Sequence, residues 1–180
     1  MSTLVRMDPT TARPKIRQCL FATAIWVMAA SVAMAAATSH CRDTEQTLFS
    51  CSTGRNLVSV CGSADLSGSA GWLQYRFGPP GAPQLSQPAL GAAWREQVSA
   101  GTVMYSGGGG AYLMFHNPPY KTTVYSADGR GWGHKAGVVV DKQGKRLANL
   151  RCRQAETSEL GPDLFERAQI PPAGSGFSLP

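Results

Sequence analysis

The sequence has few of the groups on which enzymes usually depend. It contains three histidines, and charged residues make up 16% of its 180 residues. No serine stands in a Gly-x-Ser-x-Gly elbow, and no histidines have the His-Glu-x-x-His spacing of zinc hydrolases. These absences favour a non-enzymatic protein, for which we predict no catalytic residues and no cofactor. A carboxylate pair of the glycosidase kind stays open, because the distances between Glu96, Asp128 and Asp141 depend on the fold.

Other absences narrow the class of protein. There is no internal repeat, no coiled-coil heptad pattern and no long low-complexity tract. Four cysteines follow the first 35 residues, and none of them forms the closely spaced pairs of a zinc site, so we predict no metal. An even number of cysteines in an exported chain favours two disulfides, and three pairings are open. The four are Cys41, Cys51, Cys61 and Cys152.

The N-terminal segment has the pattern of an export signal. A basic cluster at Arg13, Lys15 and Arg17 precedes an apolar run over residues 19–37, which contains small-x-small sites for a signal peptidase. We therefore predict a cleaved signal peptide over residues 1–35 and a periplasmic or secreted protein. The alternative is an uncleaved anchor helix, since the run approaches the length of a membrane span.

Removal of this segment changes the charge and the size of the protein. The segment carries four of the 17 basic residues and one of the 11 acids, so the net charge falls from +6 to +3. A value this small does not indicate a nucleic-acid partner. We expect no stable membrane span after cleavage. For the chain that remains after cleavage we predict one disulfide-competent domain over 36–170 and a flexible tail over 171–180.

Short strands separated by turn residues dominate the mature chain. Residues 72–77 alternate between apolar and polar side chains, as in a half-buried strand. A short helix is expected over 163–169, after a proline at the first helical position. The fold class predicted is all-β, an antiparallel barrel or sandwich of about eight short strands with a short C-terminal helix. The other predicted strands are 47–52, 57–61, 102–105, 111–116, 120–125, 135–140 and 146–151.

Two segments stand out as candidate recognition sites. Residues 106–112 contain four consecutive glycines, which either form a hairpin or bulge or let a ligand approach the backbone. No Lys-Ser/Thr follows them, so they do not form a phosphate loop. Residues 128–135 combine basic groups with Trp132 and His134, and this cluster is either a recognition loop or a long hairpin.

The glycine segment resembles the first motif of the bacterial inhibitors of C-type lysozyme. An export signal and a Phe-Ser-Cys strand over 49–51 add to the resemblance. The motif's second serine is Gly108 in this chain, and its second motif corresponds only to residues 120–122. The resemblance implies a small periplasmic β-barrel that inserts Ser106 and Lys121 into a lysozyme cleft. The motif positions are Ser106, Gly107, Gly109 and Tyr112.

Three functions follow from these observations. The first is a non-enzymatic envelope module that binds a protein or a glycan, with lysozyme inhibition as its most specific form. The second is a small envelope hydrolase that uses Asp128, Asp141 or His134, and the third is a structural envelope protein without a dedicated ligand. Inhibition predicts that Ser106 and Lys121 lie on adjacent exposed loops. A hydrolase instead predicts a pocket in which a histidine and a carboxylate are within reach.

Overall fold

The structure is a computed structural model that describes residues 38–174 and 176–180. The predicted signal peptide lies outside the described residues. The described chain forms ten strands and two short helices, and every strand pairing is antiparallel.

Five strands form the first sheet, in the order β10-β1-β2-β3-β4. The hairpin between β1 and β2 turns at residues 53–56, as the sequence predicts. The two edge strands have only two and three residues, too few for an alternating pattern, and the sequence did not predict them. The strands are β1 (Glu45–Ser52), β2 (Leu57–Ser63), β3 (Leu73–Gly78), β4 (Leu85–Gln87) and β10 (Thr157–Ser158).

The second sheet is a meander in which each strand pairs with the next along the chain. Consecutive antiparallel hairpins turn at opposite ends of a sheet, so the β5–β6 and β7–β8 turns share one end and the β6–β7 and β8–β9 turns share the other. The strands are β5 (Val98–Tyr105), β6 (Gly108–Asn117), β7 (Tyr120–Gly129), β8 (Gly133–Lys142) and β9 (Lys145–Arg151).

The all-β prediction is confirmed, and of its two architectures the structure is a sandwich. None of the strands described here pairs across the two sheets, so no barrel closes. After β4 the chain enters Pro88, which has no N–H to donate, and then the helix α1 (Trp94–Gln97) before it reaches the second sheet. The predicted C-terminal helix is present as α2 (Pro162–Arg167).

The core lies between the two sheets. Fully buried side chains from both sheets meet there, among them Phe49 and Val60 from the first sheet and Leu113, Val124 and Val138 from the second. Each sheet therefore buries one apolar face against the other, as expected for a sandwich.

The outer face of the second sheet is also covered. Tyr112 and Tyr125 contact Phe177, with ring centroids 5.3 and 5.5 Å apart. Phe177 is 8% exposed, and it belongs to the segment 171–180 that was predicted as a flexible tail. This segment also pairs with β5, where the Ala100 N–H donates to the carbonyl oxygen of Pro171 (2.8 Å). Because both faces of the sheet are covered, 111–115 is a continuous buried run.

Two disulfides cross-link the domain, as predicted. Cys41 pairs with Cys61 across 20 residues, and Cys51 pairs with Cys152 across 101 residues. The second bridge joins β1 of the first sheet to the segment that follows β9 of the second. The pairing is the one feature of this framework that the sequence left open.

Candidate functional site

Ser106 and Lys121 lie at opposite ends of the second sheet. Ser106 is in the turn between β5 and β6, whereas Lys121 pairs with His116 at the far end of β6. Eight residues separate Gly108 from His116 along the strand, a distance of about 27 Å. The expectation that Ser106 and Lys121 sit on adjacent loops is therefore wrong, because successive hairpins of a meander alternate between the two ends.

The glycine run forms a hairpin and a close strand contact. Gly107 has a φ of +80°, which glycine adopts at little cost, in the turn between β5 and β6. A Cβ at Gly108 would collide with the carbonyl oxygen of Asp128, and one at Gly110 would collide with Ala127. Of the two roles considered for these glycines, the conformational one is thus present in the structure.

The other two residues of the resembled motif have different surroundings. Gly109 is half-buried in β6 and pairs with Met104, whose side chain is 85% exposed. Tyr112 is only 3% exposed and lies beneath Phe177. Tyr112 is therefore a packing residue of the outer face and does not share an exposed surface with Ser106.

The turns after β5 and β7 together form the exposed surface that we call the hairpin tip, defined by Ser106, Gly107, Arg130, Trp132 and Lys135. The N–H of Arg130 donates to the carbonyl oxygen of Gly107 (3.1 Å), which joins the two turns. Ser106, Gly107 and Arg130 are exposed, and Trp132 and Lys135 are half-buried.

An aromatic contact holds the tryptophan of the hairpin tip. The rings of Trp132 and Tyr105 meet edge to face, with centroids 5.9 Å apart. The ammonium of Lys135 lies 5.0 Å from the centroid of the Trp132 ring, a cation–π distance. The tip therefore presents an aromatic ring that contacts Tyr105 and Lys135, with the exposed Arg130 in the same turn.

His134 lies beside the hairpin tip between two carboxylates. Its Nδ1 is 2.9 Å from Asp128 Oδ1, and its Nε2 is 2.6 Å from Glu156 Oε1. The hydrogen bond to Asp128 raises the pKa of His134; burial opposes this rise, and Glu156 adds to it. The Ser126 hydroxyl donates to the same Glu156 oxygen (2.9 Å). Both carboxylates thus favour the protonated imidazole, in which both ring nitrogens donate.

A depression of about 400 Å³ adjoins this histidine. Its lining includes four basic side chains, His134, Lys135, Arg151 and Arg153, and one acid, Glu156. The acid side chain is only 7% exposed and is engaged by His134. The accessible charge of the depression is therefore positive, and it suits an anionic group.

Several residues of this region were not predicted from the sequence. Arg130 and Lys135 belong to the segment 128–135, which was predicted as a recognition loop or a long hairpin, but neither residue was singled out as a site residue. Glu156 is 22 residues from His134 along the chain, and no local pattern connects the two. Asp141, a candidate acid for the hydrolase alternative, accepts a hydrogen bond from Arg146 (3.2 Å) at the other end of β8. Asp141 is therefore not part of the His134 cluster.

Fold and site together define a disulfide-linked all-β sandwich domain with an aromatic and basic surface at one end. Comparisons with models of protein families, with curated proteins and with solved structures found no match to this chain. Two disulfides indicate that the chain folds in an oxidising, extracytoplasmic environment. Within the described part of the chain, no helix is long and apolar enough to span a membrane.

Proposed function

We propose that this protein is a non-enzymatic binding module of the cell envelope that contacts a protein or glycan partner through the hairpin tip. The observation that carries the proposal is the half-buried Trp132, which packs against Tyr105 and Lys135 in the same turn as the exposed Arg130. Tryptophan and arginine supply a large share of the binding energy at protein interfaces. A ring already held by its neighbours loses little side-chain entropy when a partner binds.

Charge narrows the chemistry of the partner. The basic depression beside the hairpin tip favours acidic groups, either carboxylates of a protein or those of an anionic glycan. Arg130 is exposed, and an arginine binds a carboxylate through two parallel hydrogen bonds. The proposed contact is therefore short-range and consists of one aromatic ring with cations around it.

The most specific form of the proposal is inhibition of a lysozyme-like glycan hydrolase, whose cleft carries acidic catalytic residues. Ser106 lies beside Arg130 at the hairpin tip, so Arg130 takes the role for which the family resemblance implied Lys121. The net charge of +3 on the mature chain does not attract a cationic hydrolase from a distance. Inhibition then depends on contacts made inside the cleft.

The test is lysozyme activity on cell-wall substrate with and without the exported, oxidised protein. Arg130→Ala should relieve inhibition at least tenfold, because a cation that pairs with a buried carboxylate is lost. Lys121→Ala is the matched control, since it removes the same charge at the other end of the sheet and should leave inhibition unchanged.

Two results would contradict this proposal. Equal effects of the two variants would mean that overall charge, and not the hairpin tip, governs the interaction. An absence of inhibition of chicken-type, goose-type and invertebrate-type lysozymes would remove the lysozyme form. Binding of anionic peptidoglycan fragments, abolished by Trp132→Ala, would then be the measurement that decides the broader form.

A second candidate is a small envelope hydrolase, favoured by the contact of His134 with Asp128 and Glu156. A histidine between two carboxylates is a common part of a proton-transfer site. The raised pKa of His134 favours the protonated form, in which the imidazole would serve as a general acid. Turnover of an ester or glycoside substrate that His134→Gln abolishes, with the fold unchanged by circular dichroism, would favour this candidate over the binding module.

A further inference from the structure

An apolar cleft of about 460 Å³ opens between the two sheets at the end opposite the hairpin tip. This volume lies within the range of small-molecule binding sites, about 300–1,000 Å³. Two of its apolar side chains, Leu85 and Tyr120, are each 42% exposed at the mouth. The apolar walls are formed by Phe77 and Leu85 of the first sheet and by Tyr120, Val140, Ala148 and Leu150 of the second.

The polar side chains in the cleft satisfy one another. The amide nitrogen of Asn117 donates to Gln87 Oε1 (3.2 Å), and the amide nitrogen of Gln87 donates to Thr122 Oγ1 (3.2 Å). This chain of hydrogen bonds links β6, β4 and β7 across the two sheets. The hydrogen-bonding groups of the wall are thus largely engaged, and the rest of the lining presents hydrocarbon to an occupant.

The mouth of the cleft carries positive charge. The ammonium of Lys142 lies 5.4 Å from the centroid of the ring of Tyr120, which is a residue of the mouth. Lys145 is the register partner of Lys142, so both side chains project on the same face of the sheet. The neighbouring acid, Asp141, projects on the opposite face, where it accepts a hydrogen bond from Arg146. No acidic side chain lines the cleft in the part of the chain described here.

We propose that this cleft binds a single-chain anionic amphiphile, namely an alkyl carboxylate. The alkyl chain lies between the sheets, where it covers the hydrocarbon of Leu85 and Tyr120. The carboxylate lies at the mouth, within reach of Lys142 and Lys145. The pairing of an exposed apolar lining with two unopposed cations selects this class over neutral or cationic amphiphiles. This site is separate from the hairpin tip, and neither depends on the other.

The test is titration of the exported, oxidised protein with decanoate below its micellar concentration, followed by amide NMR shifts. Shifts should be largest at residues 120–122 and 148–150 and negligible at Trp132. Binding to the folded state should raise the midpoint of thermal unfolding. Decyltrimethylammonium, which has the same chain and the opposite charge, is the matched ligand control and should bind at least tenfold more weakly.

Two variants test the alkyl site and the carboxylate site separately. Ala148→Phe fills the cleft and should weaken decanoate binding at least tenfold. Lys142→Gln combined with Lys145→Gln removes both cations proposed to pair with the decanoate carboxylate and should weaken binding about tenfold. Lys135→Gln at the hairpin tip should not change it. The proposal is overturned if decanoate does not bind, if the alkyl cation binds as tightly, or if decanoate lowers the unfolding temperature. The lysine variants decide the matter should Ala148→Phe fail to fold.

Discussion

The disulfide between Cys51 and Cys152 should stabilise the domain more than the one between Cys41 and Cys61. A cross-link lowers the entropy of the unfolded chain, and the effect grows with the number of residues in the closed loop. The two loops span 101 and 20 residues. The corresponding contributions are about 4.7 and about 3.3 kcal/mol, a difference of about 1.4 kcal/mol.

Two double variants measure this difference directly, one with Cys51 and Cys152 replaced by alanine and one with Cys41 and Cys61 replaced. Each pair has one buried and one half-buried cysteine, so the packing lost is similar and largely cancels in the comparison. With a urea m-value of about 1.5 kcal/mol/M, the unfolding midpoint of the first variant should lie about 1 M below that of the second.

Equilibrium unfolding in urea, followed by tryptophan fluorescence without reductant, is the assay. Equal midpoints, or a lower midpoint for the variant that lacks the shorter loop, would refute the reasoning from loop length. Such a result would mean that local packing around each bridge, and not the constraint on the unfolded chain, decides the stability.

Four further predictions follow from contacts in the structure. His134 should titrate above about pH 6.5, because hydrogen bonds to carboxylates raise its pKa, and His116 should titrate below it, because burial and the nearby Lys121 lower its pKa. An NMR titration that gave His116 a higher pKa than His134 would contradict this. The stability that His134 contributes should be complete below about pH 6.5 and be lost as the pH rises through its raised pKa, which is measurable as unfolding free energy against pH. Phe177→Ala should cost about 3 kcal/mol in urea unfolding, since the ring covers the outer face of the second sheet; a cost near zero would mean that the tail does not hold this position. Gly110→Ala should lower the free energy of unfolding by about 1–3 kcal/mol, because the methyl group of the new alanine would collide with β7. Gly161→Ala should change it by less than about 0.5 kcal/mol, because the space around Gly161 is open.

Local patterns predicted most of the strands. The alternation over 72–77 corresponds to β3, and the turn residues between the predicted strands mark the hairpins of both sheets. The short strand at Thr157–Ser158 was missed because two residues carry no periodicity. Residues 90–98 show no clear period and are compatible with a helical turn or a surface loop, and the structure forms the four-residue helix α1 there.

The candidate site was less predictable than the strands. Trp132 and His134 are near one another in the chain, so a local pattern placed them on one loop. Lys121 was assigned to the same surface as Ser106, and the meander puts it at the other end of β6. The contact between His134 and Glu156 joins residues that only the fold brings together.

By itself the sequence determined the class of structure: short antiparallel strands, hairpin turns and a covalent framework of two disulfides. Those properties depend on residue type, on alternation and on cysteine number, all of which are local or compositional. The tertiary structure decided which cysteines pair, that the sheets stack as a sandwich, and that the hairpin tip and the apolar cleft lie at opposite ends. Each of those depends on contacts between residues distant in the chain, whose geometry follows from strand register and sheet packing.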